Sequence, residues 1–215
     1  YGGQAGGGKS DLLVGLALTA QKNSIIFRRN YTQFRGGEGL LQRTATIVGR
    51  HGRFSQRING WWMHDGRSLE FGAVENLSDL GKWRGRAHDF KGFDELPEFA
   101  EAQYLFLIGW LRSADPKQRT RVVGAGNPPL TDEGEWVIRR WAAWLDPQHG
   151  NPAVPGELRW YARNENKDVE VEGPAQIERD GEVIKPRSRT FIPAALKENL
   201  FLRNSDYAAV LQGLP

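Results

Sequence analysis

The chain has 215 residues and a formal charge of +3, and 39% of its residues are hydrophobic, so a wholly disordered chain is excluded. No run approaches the roughly 18–20 apolar residues that a membrane-spanning helix needs. The absence of cysteine excludes disulfides and cysteine-ligated metal sites, and it fits a reducing cytoplasm.

The first half of the chain alternates between helical and strand patterns. A helix is predicted directly after the glycine-rich start, from apolar residues at helical spacing: Leu12, Leu13, Leu16, Ala17 and Ala20. The β-branched, apolar run Ser24–Arg28 predicts a buried strand. A second helix is expected near residues 39–49, and Asp65-Gly66 predicts the turn of a hairpin.

The second half continues this alternation. We predict a strand over His88–Leu96, a helix from Pro97 to about Arg112, and a strand over 120–125 that leads into "GNPP". Beyond these come an amphipathic helix at 134–145, a strand at 157–163, a hairpin around Asp180-Gly181, a strand at 188–193 and a closing helix at 205–214. This order predicts one α/β domain over 1–215, with a largely parallel sheet flanked by helices and a small β-hairpin appendage near the carboxyl terminus.

The opening glycines fit a phosphate-binding loop. The pattern G-x-x-x-x-G-K-[ST] is matched by Gly3, Gln4, Ala5, Gly6, Gly7, Gly8, Lys9 and Ser10. Glycine allows successive backbone N–H groups to curl around phosphate oxygens, and the helix that follows points its positive end at the same anion. Lys9 is then expected to reach the β- and γ-phosphates, and Ser10 to bind Mg²⁺. The alternative is a flexible glycine-rich tail.

Two adjacent carboxylates end the strand predicted over His88–Leu96. An apolar strand that ends in Asp94-Glu95 is the Walker B pattern, in which Asp94 helps to hold Mg²⁺ and Glu95 polarises the attacking water. The alternative is an acidic pair that caps the next helix, where carboxylates are favourable. Both interpretations can hold together.

The next strand ends in a polar residue. Asn127 follows "VVGAG" and precedes two prolines, so it can report whether a γ-phosphate is present, although Gly-Asn-Pro is also ordinary turn chemistry. The tryptophans Trp136, Trp141 and Trp144 lie at helical spacing, which favours a place in the core over stacking on nucleic acid.

Basic residues cluster in several places, which permits an anionic partner but also fits a solvated face. The candidates for contact with DNA phosphates are Arg28, Arg29, Arg35, Arg50, Arg53 and Arg57.

Taken together, these segments resemble the ATPase domain of the terminase large subunit of tailed bacteriophages. The resemblance rests on "GGQAGGGKS", "IIFRRNYTQFR", "WRGRAHDFKGFDEL", "GAGNPP" with "EWVIRRW", and "SRTFIPAALKENLFL…DYAAVLQGLP". It implies a P-loop NTPase of the additional-strand catalytic-glutamate type that hydrolyses ATP with Mg²⁺ and drives double-stranded DNA into a procapsid. The implied roles are catalysis for Glu95, metal binding for Asp94 and Ser10, and coupling for Asn127.

The resemblance also implies an assembly. A motor of this family works in the host cytoplasm as a homo-oligomeric ring with portal protein, procapsid and small terminase subunit, and not at a membrane. Arg84 matches the arginine that such motors insert into a neighbouring site, and Arg86 is the second choice; the alternative is an exposed basic loop. Other P-loop motors, such as a helicase, and a nucleotide-gated DNA-binding module remain open.

Three departures from the family bear on function. Many terminases carry an arginine inside the P-loop, where this chain has Gln4 and Ala5, which favours a finger that acts in trans. The strand that precedes the P-loop and the carboxyl-terminal nuclease domain are both expected to be absent from this sequence. No DNA cleavage is therefore expected from this chain.

Overall fold

The computed structural model describes residues 1–36, 39–164, 167–179, 181–202, 206 and 209. The helices are α1 Lys9–Thr19, α2 Leu40–Val48, α3 Glu101–Ile108, α4 Trp136–Arg140 and α5 Ala142–Leu145. The strands are β1 Gly2–Gly3, β2 Asn23–Arg28, β3 Gly52–Ser55, β4 Gly60–Met63, β5 Ser68–Ala73, β6 Phe90–Asp94, β7 Arg121–Ala125, β8 Arg159–Asn164, β9 Lys167–Val171, β10 Ile177–Arg179, β11 Glu182–Ile184, β12 Arg187–Arg189 and β13 Pro193–Ala194. Short 3-10 turns cover Tyr31–Phe34, Gly49–His51, Leu77–Trp83, Leu96–Glu98, Asp132–Gly134 and Leu196–Glu198.

A six-stranded sheet with the order β3-β4-β5-β2-β6-β7 forms the centre of the first compact unit. The four strands β5, β2, β6 and β7 are parallel to one another. The hairpin strands β3 and β4 extend the sheet in antiparallel fashion, and the turn predicted at Asp65-Gly66 connects β4 to β5. The predicted α/β class with a largely parallel sheet is therefore confirmed.

The residues that lead into the glycine-rich loop run beside β7. Gly2 forms a parallel bridge with Gly126, and the N–H of Gly3 donates to the Gly126 carbonyl at 3.3 Å. The amino group of Tyr1 donates to the Gly124 carbonyl at 2.9 Å. As a result β7 lies between the entry to the loop and β6, the strand that carries Asp94.

The two faces of the sheet bury different side chains. Helix α1 packs against an aliphatic and aromatic face that includes Ile26, Phe71 and Phe90. The other face carries aromatic rings in contact with one another: Phe27, Trp83, Phe93, Phe99, Tyr104 and Trp136. Trp136 is buried as predicted, whereas Trp141 and Trp144 are only partly buried.

Two predicted helices are shorter than the sequence pattern indicates. The helix expected from Pro97 begins only at Glu101, because Ala100 is extended and its N–H donates to the side chain of Gln103 at 3.0 Å. The helix expected at 134–145 is interrupted at Trp141, whose φ of −113° and ψ of 29° are not helical and separate α4 from α5.

Residues 137–193 form a second compact unit, while residues 1–136 and the described residues from 194 onward form the first. The second unit contains an antiparallel sheet with the order β12-β8-β9 and the hairpin β10-β11. Residue 180 of the predicted hairpin turn, and all of the predicted closing helix at 205–214 except residues 206 and 209, lie outside the described residues. A single domain over 1–215 stays a prediction. Among the described residues, no helix is both long and apolar enough to cross a bilayer.

Charged residues are buried within the aromatic face of the central sheet. Glu70 on β5 accepts from Arg86 at 2.6 Å, and its other oxygen lies 3.2 Å from His88. Lys91 on β6 is only 1% exposed, and its Nζ lies 3.4 Å from Nδ1 of His88. Burial lowers the pKa of Lys91 from 10.5 to about 8, against the opposing attraction of Glu70.

We expect the buried Lys91 ammonium to make stability depend on pH. Its pKa is lower in the folded protein than in the unfolded chain, so the unfolded chain binds more protons between pH 8 and 10.5. The free energy of unfolding should therefore rise with pH across this window, by about 3 kcal/mol at 1.36 kcal/mol per pKa unit. Urea titrations of wild type and Lys91→Met should show this rise in wild type alone. Parallel pH curves for the two proteins would contradict it.

Candidate functional site

The glycine-rich loop adopts the conformation that its composition predicts. Gly3, Gly6 and Gly8 have φ values of 133°, 75° and 70°, which side chains with a Cβ atom rarely adopt. Helix α1 begins directly afterwards at Lys9. The first N–H groups of a helix have no carbonyl one turn earlier within the helix, so those of α1 face the loop, which is the arrangement that binds anions at a helix amino terminus.

The loop forms one wall of a pocket of about 270 Å³. Most of the site residues predicted from sequence line the pocket: Ala5, Gly6, Gly7, Gly8, Lys9, Ser10, Glu95 and Asn127. Four further residues complete the lining: Asp11, Arg43, Asn199 and Leu202. The predicted residues Gly3, Gln4 and Asp94 do not line it. Gly3 and Gln4 both offer their backbone carbonyls to the ammonium group of Lys9.

Lys9 is held by oxygen atoms inside this pocket. Its Nζ donates to Oδ1 of Asn127 at 2.9 Å and to the Gln4 carbonyl at 2.5 Å, and the residue is 7% exposed. Burial lowers the pKa of Lys9, and the nearby carboxylates of Glu95 and Asp94 act in the opposite direction. A phosphate oxygen could replace these neutral acceptors and would pair the ammonium with a full negative charge.

Asp94 is buried at the end of β6, with 1% exposure, and both of its oxygens are bonded. Ser10 Oγ donates to Oδ1 at 2.8 Å, and Arg28 Nε donates to Oδ2 at 2.6 Å. The sequence interpretation placed Arg28 among DNA contacts and missed this role. The contact with Asp94 was predictable from sequence, because Arg28 ends β2. The neighbouring parallel strands β2 and β6 bring their carboxyl ends to one edge of the sheet.

Glu95 occupies a strained position immediately after Asp94. It has φ 56° and ψ 56°, a left-handed conformation that residues other than glycine rarely adopt. Its Oε2 accepts from the backbone N–H of Asn127 at 3.3 Å. Burial is the main cause that raises the pKa of Glu95, and Asp94 contributes in the same direction. Asn127 thus links Lys9, through its side chain, to Glu95, through its backbone.

A comparison with solved structures finds distant similarity. The fold is similar to a chain of the bacteriophage Phi-29 viral genome packaging motor assembly. The TM-score is 0.44 at 13% sequence identity, over 99% of this chain and 58% of that one. No protein-family model matches the chain, and neither does any curated protein.

The two candidate finger arginines have different surroundings. Arg84 is exposed, and within the described ranges its guanidinium makes no hydrogen bond or ion pair. Arg86 pairs with Glu70 at 2.6 Å and stacks over the ring of Trp83 at 4.9 Å. Neither arginine lines the pocket. The role of Arg84 stays a prediction, and Arg86 is already committed to contacts within its own chain.

Residues 194–199 of the first unit contact the loop. The side chain of Gln4 accepts from the N–H of Leu196 at 3.2 Å, and the side chain of Asn199 donates to the Gly6 carbonyl. A Cβ atom at Gly3 would come within 2.6 Å of the Ala194 carbonyl oxygen. Gln4 therefore faces this segment and does not occupy the position of an arginine directed at phosphate.

Proposed function

We propose that the chain binds ATP in the pocket beside the glycine-rich loop and hydrolyses its terminal phosphoanhydride bond. The observation that carries this proposal is that Lys9, Ser10, Glu95 and Asn127 line one pocket, and that Ser10 connects it by a hydrogen bond to the buried Asp94. These are the residue types, in the spatial order, that a phosphate-binding loop and a Walker B strand supply.

Each side chain has a distinct task in this reaction. The N–H groups of the loop and Lys9 hold the phosphate oxygens and offset the charge that develops on them. The Glu95 carboxylate accepts a proton from the attacking water, and its raised pKa makes it a stronger base. When the γ-phosphate draws Lys9 away, the side chain of Asn127 is released, and this change reaches Glu95 through the Asn127 backbone.

The protein donors at this site fit Mg²⁺ only in combination with the phosphate oxygens of a bound nucleotide. Among the described residues, no group of three or more His, Cys, Asp or Glu side chains could hold a metal ion. The Ser10 hydroxyl and the Asp94 carboxylate, 2.8 Å apart, are the two protein groups that would hold it, with phosphate oxygens and water completing the shell. Bound there, Mg²⁺ would neutralise charge on the β- and γ-phosphates.

We assign the fold to the additional-strand catalytic-glutamate type of P-loop NTPase. Support comes from the strand order, in which β7 separates the entry to the loop from β6. Asn127 follows that intervening strand, and Glu95 follows β6, so both lie at the same edge of the sheet.

We further propose that hydrolysis drives double-stranded viral DNA into a procapsid, as the terminase resemblance implies. The motor would be a homo-oligomeric ring in the host cytoplasm, assembled with portal protein and small terminase subunit. The exposed Arg84 supports a ring, because an arginine that has no partner among the described residues is available to the site of a neighbour.

Phosphate release with and without portal and procapsid tests this function. The chain alone should hydrolyse ATP slowly, and the packaging components should stimulate this hydrolysis.

Lys9→Ala should weaken binding of a fluorescent ATP analogue at least about tenfold, because a charge-assisted hydrogen bond contributes about 1.5–3 kcal/mol. Lys82→Ala removes an exposed ammonium outside the pocket and is the matched control. Equal affinities for Lys9→Ala and wild type would refute the site.

A further inference from the structure

The β3–β4 hairpin carries a concentration of positive charge that the nucleotide site does not use. We call residues 50–63 the basic hairpin. Its sequence, RHGRFSQRINGWWM, holds three arginines and no Asp or Glu, so it contributes +3 in a chain whose whole formal charge is +3.

The three arginine side chains of this hairpin are not engaged by other groups in the described part of the chain. Arg50, Arg53 and Arg57 are exposed, and in the described part of the chain their side chains make no hydrogen bond or ion pair. Of the other three arginines that sequence analysis grouped with them, Arg35 is also exposed and lies over the ring of Tyr31 at 5.5 Å, whereas the remaining two make polar contacts. Arg28 binds Asp94, and Arg29 donates to the Glu98 carbonyl at 2.8 Å.

A rigid base supports these arginines. On one face of the hairpin, Trp61 and Met63 pack against the hydrophobic core, and Phe54 meets Trp61 edge to face at 5.4 Å. On the other face, Arg53 lies directly opposite Trp62 across the strand pair, and Trp62 is 41% exposed. Arg53 thus projects from a two-stranded ribbon beside an exposed ring, and Arg50 and Arg57 lie in the turns before and after β3.

We propose that the basic hairpin contacts the sugar–phosphate backbone of duplex DNA without reading its sequence. The choice of ligand rests on the proposed function, since a packaging motor must hold DNA of any sequence. A two-stranded β-ribbon matches the width of the major groove, and arginine forms paired hydrogen bonds with phosphate. The hairpin carries no carboxylate that would repel the ligand.

The competing explanation is protection of an edge strand. Because β3 ends the sheet, charged side chains there would also prevent it from pairing with another chain. The two explanations predict different results when the charges are removed.

The test is fluorescence anisotropy of a labelled 30-base-pair duplex across a NaCl titration. The triple variant Arg50→Gln, Arg53→Gln, Arg57→Gln should bind more weakly. The slope of log affinity against log salt should fall by about 3, because each lost phosphate contact removes about 0.9. The control variant Arg112→Gln, Lys117→Gln, Arg119→Gln removes the same charge near β7, at the opposite end of the sheet, and should keep the wild-type slope.

Several outcomes would overturn the proposal: no duplex binding by wild type, equal losses in both triple variants, or a stronger preference for single-stranded DNA. A hairpin variant that binds DNA normally but self-associates in sedimentation would support edge protection instead. Basal ATP hydrolysis, measured without DNA, should be unchanged in the hairpin variant. Failure of the DNA contact is therefore distinguishable from failure of the proposed ATPase.

Discussion

Replacing Glu95 with glutamine is expected to reduce ATP turnover by about 10²–10⁴-fold while ATP binding is retained. The amide cannot accept the proton of the attacking water, yet it can still accept the N–H of Asn127 that holds the residue at 3.3 Å. Single-turnover phosphate release gives the rate, and a fluorescent ATP analogue gives the affinity. Glu98→Gln, an exposed substitution three residues along, is the matched control and should keep the wild-type rate.

The pH dependence of the wild-type rate and the melting temperature of Glu95→Gln test the same role. Because burial raises the pKa of Glu95 above its ordinary value of 4.5, the rate should fall on acidification at a pH above 4.5.

The folded protein favours the protonated form of Glu95, so the ionised carboxylate reduces stability at neutral pH. Glu95→Gln should then melt at the same temperature as wild type or higher. A variant that turns over ATP at the wild-type rate would place the base elsewhere.

Replacing Arg84 with alanine is expected to lower turnover of the assembled ring by about 10³–10⁵-fold, the range known for arginine fingers. The basal rate of the isolated chain should not change, because Arg84 does not line the pocket of its own chain. Arg86→Ala is the comparison: its partners are Glu70 and Trp83, so it should lower the melting temperature and leave ring turnover within a few fold.

Mixed rings decide whether Arg84 acts in trans. An Arg84→Ala subunit retains Glu95, and a Glu95→Gln subunit retains Arg84, so one interface of each mixed pair has a complete site. Phosphate release should therefore recover when the two inactive proteins are mixed under assembling conditions. Absence of recovery, with assembly verified by light scattering, would remove the trans assignment.

Part of the candidate site could be anticipated from sequence because several of its residues follow parallel strands. Asp94 and Asn127 were placed at strand ends, and such ends meet at one edge of a parallel sheet. The left-handed backbone of Glu95 could not be anticipated, since it depends on how β6 leaves the sheet ahead of the turn at Leu96–Glu98. The break at Trp141 could not be anticipated either, because the sequence pattern of residues 134–145 is helical throughout.

Arginine roles were the least predictable part of the site. Arg28, Arg50 and Arg84 are the same residue type in similar basic runs, yet one binds a buried carboxylate and two are exposed without partners in the described part of the chain. A sequence reports the charge of a segment, whereas the partner of each guanidinium is set by strand order. Clusters of arginine therefore required the structure before they could be divided into internal and external contacts.

A crystal soaked with a non-hydrolysable ATP analogue and Mg²⁺ tests the central claim most directly. The account predicts that the Lys9 ammonium leaves Oδ1 of Asn127, now 2.9 Å away, and binds the β- and γ-phosphates. The terminal phosphate should then face the Glu95 carboxylate across one water molecule. An empty glycine-rich loop at saturating analogue, or a terminal phosphate directed away from Glu95, would contradict the account.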